Sequence, residues 1–551
     1  MSTQTLTLAP DAQQLPSGAG AGAHAADTDT ARTGKARAGM AMSLATFAMA
    51  AASGIQAVLY LSRFGTNVRT DGFFVAFALY STFGVFSQSL RLTSVPLLVE
   101  PGARLSVRQF AAALAFVALP VLIVTIPLAG VLSQLIAPGL NAEGRDVTAS
   151  ALPVLGGAMA LQLWAAGGAT VLAIRDRFTT VAGAYMAGAG CGLVAFLALM
   201  GTAGEQTLGY SMFTMSVVTC AWMLLGVRVS GGFGAKAPRD ELAAARDAAR
   251  SGLSLKLAAL MLALRTTVAN TWLILGRTVI YLAFNGLFVI TLAFASHASA
   301  GGTTMLSYGY LFASYLVAGT GMALGMSSIP DMTREARSQR LAVIAETVPR
   351  GFRYAMLIVA PALAGLIVAG APLIHAVLPS SLSAADVHTL RVFTALLAPW
   401  TIAALLVAFL MPVLFALGRA GLLNALALPL VVLHLAATAL GSALFGVDGA
   451  VGAFFVAPGC FAAILLVTGA GREGAPSLVR QLSGDTLRFL VLAALAFGAA
   501  WGVGEALPGG LEQAAAAGVL GCAVYGAGLW IVARRQIEVL LSAVAARPAA
   551  A

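Results

Sequence analysis

The sequence has 551 residues, of which 59% are hydrophobic and 10% are charged, and its formal net charge is +10. An ordinary soluble domain carries about 25% charged residues, so this composition excludes a soluble globular protein. Apolar stretches of about 20 residues recur along the chain, and each is long enough to cross a bilayer core of about 30 Å. The alternating ten-residue segments of an outer-membrane barrel are not found. We therefore predict an all-α polytopic membrane protein.

From the N-terminus, residues 1–38 are rich in Ser, Thr, Ala and Gly, which predicts a disordered cytoplasmic tail. Fourteen spans follow, at about 39–61, 72–95, 109–136, 149–173, 179–201, 207–227, 275–296, 303–329, 354–378, 391–417, 421–445, 448–469, 487–506 and 513–533. The predicted units are an N-lobe with helices 1–6 (39–229), a cytoplasmic linker with an amphipathic helix (230–274), a C-lobe with helices 7–12 (275–470), and two C-terminal helices with a tail (471–551).

The segment 63–77, "RFGTNVRTDGFFVAF", places Arg63, Arg69 and Asp71 between the first two spans. One interpretation is a polar turn that meets water and contains a local ion pair, worth below about 1 kcal/mol if it is exposed. The other makes these residues a gate, with Asp71 as a gate residue or cation site at the outer mouth of the protein. The sequence leaves both interpretations open.

The linker precedes a less apolar helix. Its segment "PRDELAAARDAARSGL" has the pattern of a cytoplasmic amphipathic helix. The next run, 254–274, contains Lys256, Arg265 and Asn270 and is therefore a poorer span than its neighbours. We expect this run to lie in the membrane plane or to be partly buried, joining two six-helix halves.

The basic residues fix the predicted orientation. Of the 32 Lys and Arg residues, 25 fall in alternate loops on the side of the N-terminus and four in the loops between them (Arg63, Arg69, Arg145 and Arg391), while three lie in or at the edge of apolar segments (Arg91, Arg265 and Arg277). Because cytoplasmic loops carry the excess of positive charge, both termini are predicted to be cytoplasmic in an inner (cytoplasmic) membrane.

Two pairs of prolines indicate an internal repeat. Pro120 and Pro361, and likewise Pro138 and Pro379, are separated by the same 241 residues. The second pair lies in two segments that look alike, "IVTIPLAGVLSQLIAPGLNAEG" (123–144) and "GLIVAGAPLIHAVLPSSLSAAD" (365–386), and the first pair lies just before them. This favours a duplicated unit of six spans, and thus two pseudosymmetric lobes around a site near the membrane midplane.

The sequence offers little for catalysis or cofactor binding. The four cysteines lie in apolar runs without CxxC spacing and the five histidines are scattered, so neither a metal site nor a cofactor is predicted. No Ser-His-Asp order, Walker loop, HExxH motif or intramembrane carboxylate pair can be assembled, which argues against an enzyme. The basic residues are spread over short loops, which argues against a nucleic-acid partner.

Several segments in order along the chain resemble one family. "SRFGTNVRTDGFFVAFAL", "LIAPGL", "AIRDRF" and "GMALGMSSIPDMTREARS" are similar to segments of the MurJ/MviN family, the lipid II flippases of the MATE-like MOP superfamily. The resemblance covers about residues 40 to 380. It implies two six-helix lobes with two C-terminal helices, and alternating-access movement of an undecaprenyl-linked glycopeptide from the inner to the outer leaflet.

The sequence departs from this family where the family carries cavity arginines. Those positions fall on Ala50, Gln56, Gly84 and Leu311. The acid that opens the second span is retained as Asp71. An anion buried without cationic partners is costly, so a pyrophosphate cannot use this cavity as it does in the family.

The candidate substrate-binding residues are therefore Arg91, Arg277, Gln56 and Asn285. Arg91 and Arg277 lie near the predicted cytoplasmic ends of the second and seventh spans, where each either snorkels to the headgroups or faces the central cavity. Asn285 lies about two turns after Arg277 on a nearby helix face, and helix–helix hydrogen bonding is its alternative role.

Three functions remain open at this point. The resemblance favours a flippase or exporter of a lipid-linked or amphiphilic substrate, such as an undecaprenyl-linked cell-wall (peptidoglycan) or glycopolymer precursor. Its partners would be membrane lipids and proteins of cell-envelope biosynthesis. The alternatives are a MATE-type ion-coupled exporter of small molecules and a non-transporting membrane scaffold. Because no nucleotide-binding loop is found, any transport is expected to use an ion gradient or the membrane potential.

Overall fold

The computed structural model describes residues 51–99, 105–175, 177–231, 253–298, 300–322, 340–377, 382–504 and 511–532, with the isolated positions 45, 48, 49 and 534. We number the helices α1 (51–64), α2 (Val68–Val99), α3 (Val107–Thr125), α4 (Ala129–Ile136), α5 (Ala142–Ile174), α6 (Phe178–Leu199), α7 (Thr207–Val229), α8 (Leu253–Ala295), α9 (Gly302–Val317), α10 (Arg340–Val377), α11 (Ala384–Ala416), α12 (Ala420–Ala425), α13 (Ala427–Gly452), α14 (Val456–Gly504) and α15 (Leu511–Val532). Short 3-10 turns at Gly204–Gln206 and Ala453–Phe455 and a π turn at Ala318–Met322 complete the described elements.

The all-α membrane fold is confirmed. Helix occupies part or all of each of the fourteen predicted spans within the described residues. Nine helical stretches in this part of the chain are long and apolar enough to cross a membrane, judged by length and composition. Two glycines with positive φ interrupt the helical run from α12 to α14: Gly446 in α13 (φ 63°) lies between the eleventh and twelfth predicted spans, and Gly471 in α14 (φ 76°) lies between the twelfth and thirteenth.

The structure corrects two expected boundaries. The run 254–274 and the seventh span form the single 43-residue helix α8, so no break separates an in-plane segment from a span at residue 274. At about 1.5 Å per residue this helix is longer than a bilayer core is thick. The third span is instead broken: α3 ends at Thr125, and α4 begins at Ala129 just after Pro127, which lacks the amide hydrogen that a helix needs.

The core of the N-lobe is built on α2 and α5, which pack closely along their length. Gly72 permits this approach, since a Cβ atom there would overlap the carbonyl oxygen of Gly144 on α5. The buried rings of Phe73 and Phe74 follow directly on α2.

Between the lobes, α2 packs against α8. In the C-lobe, α9 packs on α11 and α10 packs on α14. The last helix, α15, lies against α10 and α14 and thus adjoins the C-lobe.

Candidate functional site

A buried carboxylate of one lobe holds the start of a helix in the other. Asp71, in the first turn of α2, is 1% exposed. Its Oδ2 accepts a hydrogen bond from the backbone N–H of Gly301 (2.7 Å), and its Oδ1 accepts from the backbone N–H (2.7 Å) and the hydroxyl (2.6 Å) of Thr304. The Thr304 hydroxyl also lies 3.2 Å from that of Thr70. We call these four residues the Asp71 latch.

The local sequence explains why α9 needs this partner. The first N–H groups of a helix have no acceptor within the helix, and a side chain at the capping position normally supplies one. Here the capping position is Gly301, which has a left-handed backbone (φ 91°) and no side chain to accept these bonds. Asp71 provides the missing acceptor from 230 residues away, and its charge suits the positive end of the helix dipole.

Further hydrogen bonds join the two lobes at the same end of the bundle. Thr66 lies within hydrogen-bond distance of the Asp386 carboxylate (3.2 Å), and the Tyr308 hydroxyl donates to the Ala57 carbonyl oxygen (2.7 Å). The Gly139 N–H donates to the Ser296 hydroxyl (3.0 Å). The lobes are therefore closed on each other at this end.

An aromatic cluster lies beside the latch, formed by α1 and the residues that follow Asp71 on α2. The rings of Tyr60, Phe73 and Phe74 are each fully buried and contact one another at centroid distances of 5.4 to 5.7 Å. The Tyr308 ring adds a contact from the C-lobe, 5.1 Å from Phe74. This cluster fills the space between the lobes with apolar side chains.

The two arginines near Asp71 have other surroundings. Arg69 makes a bidentate ion pair with Glu205 (2.8 and 3.0 Å) and a longer one with Glu143 (3.6 Å), all within the N-lobe. Arg63 is exposed, with its guanidinium 5.9 Å from the Phe64 ring centroid. Neither makes an ion pair with Asp71 in the described part of the chain, so the latch is a carboxylate bound by neutral donors.

A cavity of about 270 Å³ lies between the lobes, beginning at Phe77, six residues after Asp71 on α2. Its lining comes from α1, α2, α7, α8, α9 and α11 and the π turn: Ser53, Phe77, Tyr80, Ser81, Gly84, Val85, Met212, Met215, Tyr281, Phe284, Asn285, Tyr310, Leu311, Ser314, Tyr315, Val317, Ala318, Trp400, Ala404, Val407, Ala408, Met411 and Pro412. The cavity is aromatic and neutral, since none of these described lining residues is charged.

Two positions that the family resemblance assigned to cavity arginines do face this cavity. Gly84 and Leu311 both line it, and neither carries a charge. Gln56 is buried and donates to the Ser211 hydroxyl (3.0 Å), while Ala50 lies outside the described residues.

Of the other candidates, Asn285 lines the cavity, but its amide nitrogen donates to the carbonyl oxygen of Tyr281 on its own helix (2.8 Å). Arg277 is half-buried on α8, four residues before Tyr281, and is not a lining residue. Arg91 lies on α2, and its side chain is outside the described part of the structure. Their roles stay predictions.

Sequence reasoning missed two polar groups in the cavity. The Tyr281 hydroxyl and the Trp400 indole Nε1 belong to lining residues that are 7% and 4% exposed; both atoms are covered by protein and have no hydrogen-bond partner among the described residues. Each ring is held by stacking, Tyr281 on Phe415 (5.6 Å) and Trp400 on Phe454 (5.2 Å). A buried donor without an acceptor costs about 1–3 kcal/mol. The only hint in the sequence was that Tyr281 precedes Asn285 by one helical turn.

The fold of this chain is similar to those of several solved membrane proteins. The chain is similar to the lipid II flippase MurJ in an inward closed conformation, with a TM-score of 0.64 and 12% identity, covering 90% of this chain and 99% of that one. The chain has a MurJ-like fold. It is also similar to a Vibrio cholerae MATE transporter mutant (TM-score 0.52, 11% identity, 82% and 98% covered) and to an inward-facing multidrug resistance MATE transporter of the MOP superfamily (0.52, 14%, 80% and 99%). No family model and no curated protein matches the sequence.

Proposed function

We propose that the protein is an alternating-access flippase or exporter of a lipid-linked or amphiphilic substrate in the inner membrane. The observation that carries this proposal is a cavity between two lobes that the Asp71 latch closes at one end. Hydrogen bonds between lobes can be broken and remade as the lobes rock, whereas a permanently fused core cannot move in this way. The MurJ-like fold supports the same reading.

In the proposed orientation the latch lies on the outer side, because the excess of positive loops marks the opposite side as cytoplasmic. Cysteines at 299 and 381 should then react with an impermeant reagent from outside, and cysteines at 235 and 338 only from the cytoplasm. Reversed labelling of either pair would contradict the orientation.

A reversible cross-link tests the motion itself. The hydroxyl oxygens of Thr70 and Thr304 are 3.2 Å apart, so a disulfide in a Thr70→Cys/Thr304→Cys variant requires little movement. In a background without the four native cysteines, oxidation should stop flipping of fluorescent amphiphiles in proteoliposomes, and reduction should restore it. The two single variants are the controls. Transport that continues at full rate with the disulfide formed would refute alternating access at this gate.

Lipid II should fit this cavity less well than the cavity of the MurJ/MviN family. The reason is that Gly84 and Leu311 line the cavity at positions where the family resemblance predicts arginines. A strain depleted of its own lipid II flippase should therefore not be rescued by this protein. Robust growth would show that the missing arginines matter less than the electrostatics indicate.

Arg91 and Arg277 are the proposed binding groups for any negative charge on the substrate near the predicted cytoplasmic side. A guanidinium binds phosphate oxygens in a bidentate, charge-assisted manner that Lys cannot reproduce. The Arg91→Ala and Arg277→Ala variants should each transport an anionic amphiphile less well at equal membrane abundance, with partial rescue by Lys. Unchanged transport by the double variant would show that both merely snorkel.

The alternatives receive less support. A scaffold without substrate has no need of a cavity of about 270 Å³ between the lobes. A MATE-type exporter needs a membrane carboxylate that can take up a cation, but both oxygens of Asp71 accept hydrogen bonds in this conformation. Transport that depends on an imposed sodium or proton gradient and is lost in Asp71→Asn would favour the MATE-type reading.

A further inference from the structure

A histidine without exposure to solvent lies inside a membrane helix. His434 is on α13, near the middle of the predicted span 421–445, and is 0% exposed. Among the described Asp, Glu, Lys, Arg and His residues only Asp71 is comparably buried, at 1%. An ionisable side chain is costly within a membrane and is a functional candidate for that reason. His434 belongs neither to the Asp71 latch nor to the lining of the cavity.

The imidazole ring is held through one of its two nitrogens. Nε2 lies 3.0 Å from the carbonyl oxygen of Leu287 and 2.9 Å from the hydroxyl of Thr291, both on α8, and 3.4 Å from the hydroxyl of Thr438. A carbonyl oxygen can only accept, so the hydrogen of the neutral ring is assigned to Nε2. Nδ1 then carries a bare lone pair, and it is buried without a hydrogen-bond partner among the described residues. Nδ1 is therefore the atom of this side chain that is free to bind a proton.

The surroundings of the ring are neutral. Helices α8, α11, α12 and α14 and the 3-10 turn after α13 pack against α13, and within the described residues none of them brings a charged side chain into contact with His434. The nearest charged residue along α8 is Arg277, about 15 Å before the contacted turns. On α13 itself, Asp448 is fourteen residues away and exposed. The Tyr310 phenol is separated from the imidazole by the Phe454 ring, which both of them contact (5.9 and 5.3 Å).

The described conformation therefore favours the neutral ring. A proton on Nδ1 would create a buried cation without a counterion and an N–H without an acceptor, and both are costly. A conformation in which Nδ1 reaches water carries neither cost and binds the proton more readily. By linkage, a fall in pH shifts the protein from the described conformation towards that other one.

The part of α8 that His434 contacts leads directly to the hydrogen bonds between the lobes. Both contacted residues lie in the last three turns of α8. The residue after this helix, Ser296, accepts the N–H of Gly139 in the N-lobe. Five residues later, Gly301 donates to Asp71 in the latch. Movement of the end of α8 thus moves the C-lobe side of both contacts.

We propose that His434 is a proton-binding site whose protonation releases the end of α8 and opens the lobes at the latch. The charged ring reaches water only if α13 and α8 separate, which withdraws Nε2 from Leu287 and Thr291. The ion that drives this step is the proton. The inference rests on the proposed function, since opening at the latch is one half of alternating access.

The test measures the distance between the lobes at two pH values in the full-length protein. Spin labels are attached at Ala142→Cys on α5 and Ala385→Cys on α11, both exposed positions, in a background without the four native cysteines. In lipid nanodiscs, double electron–electron resonance should show that the population with longer distances grows at least about threefold between pH 8 and pH 5. His434→Gln, whose amide can still donate to Leu287, should abolish this growth. The control His388→Gln replaces an exposed histidine on α11 and should retain it.

Proton binding to the native histidine provides a second measurement that does not depend on a variant of His434. With the latch closed by the Thr70→Cys/Thr304→Cys disulfide, ¹³C-histidine NMR between pH 8 and pH 5 should show one fewer titrating imidazole than after reduction. Equal titration in both states, or a pH response of the same size in His434→Gln, would overturn the proposal, and the proposed function would stand if the disulfide still stops flipping. A pH response that requires His434 in a protein that flips no amphiphile would reject the proposed function and retain the proton site.

Discussion

The Asp71 latch and the central cavity lie on the same helices, α2 and α9, yet they satisfy their polar groups in opposite ways. At the latch every oxygen of the carboxylate accepts a hydrogen bond from the other lobe. The cavity begins at Phe77, about two turns further along α2. Two of its lining residues, Tyr281 and Trp400, carry buried donors that have no acceptor among the described residues. The hydrogen bonds of the latch are thus complete within the protein, whereas the two donors beside the cavity stay unpaired among the described residues. A fully bonded carboxylate stabilises the conformation seen here, whereas an unpaired buried donor costs it free energy.

Removing the latch carboxylate should have the largest effect. Asp71→Ala leaves the buried N–H groups of Gly301 and Thr304 without their acceptor, while the Thr304 hydroxyl can still donate to Thr70, so the free energy of unfolding of the closed conformation should fall by about 3 kcal/mol. A lower melting temperature and increased labelling of Ser53→Cys from outside would report this loss. The control is Asp448→Ala, an exposed carboxylate that should change neither measurement. Equal effects of the two substitutions would show that Asp71 does not stabilise the closed conformation more than an exposed carboxylate does.

Two glycines on α2 allow the packing near the latch to be compared with the packing at the cavity. A Cβ atom at Gly72 would overlap the Gly144 carbonyl, so Gly72→Ala should destabilise the protein by about 2 kcal/mol. Gly84 faces open space in the cavity, and Gly84→Ala should be neutral or stabilising by up to about 1 kcal/mol. Melting temperatures of the two variants check this. Destabilisation by Gly84→Ala would mean that its helix face is packed.

Two tyrosines allow hydrogen bonding near the latch to be compared with hydrogen bonding at the cavity. Tyr308→Phe removes the hydroxyl that donates to the Ala57 carbonyl oxygen in the other lobe. The free energy of unfolding of the closed conformation should therefore fall by about 1 kcal/mol. The equivalent change at Tyr281 removes an unpaired hydroxyl and should cost nothing in the ligand-free protein. Thermal unfolding in the same detergent distinguishes them, and an equal loss in both variants would contradict the comparison.

The smallest effect is expected for Arg69, which lies two residues before Asp71 and is not part of the latch. The Arg69 side chain is 52% exposed in its ion pairs with Glu205 and Glu143, and pairs open to water contribute roughly 0–1 kcal/mol. Arg69→Ala should shift the melting temperature by no more than the Asp448→Ala control, and any shift should shrink at high salt. A loss comparable to that of Asp71→Ala would place Arg69 in the gate itself.

Much of the fold followed from local sequence. Continuous apolar runs gave the fourteen spans, because a helix in a bilayer must satisfy its own backbone and needs about 20 apolar residues. The boundaries at 125–129 and at 274 were missed for local reasons as well. Pro127 breaks a helix in the midst of apolar residues, and the charges of 254–274 do not prevent α8 from continuing.

The candidate site was predictable only in part. Asp71 was noticed because a carboxylate next to an apolar run is conspicuous, and Asn285 lines the cavity although Arg277, with which it was predicted to share a face, does not. The partners of Asp71, and the roles of Tyr281 and Trp400, were not predicted. Tyrosine and tryptophan are ordinary residues of membrane helices, so their type alone carries no signal of a cavity.

The sequence by itself determined the all-α membrane class, the approximate positions of the spans and the scarcity of charge inside them, since these depend on residues that are neighbours in the chain. Only the tertiary structure decided that Asp71 caps α9 and that six helices bring neutral aromatic side chains to one cavity. The physical reason is distance along the chain. A contact across 230 residues is set by how helices pack and turn about their axes, which hydrophobic periodicity does not specify.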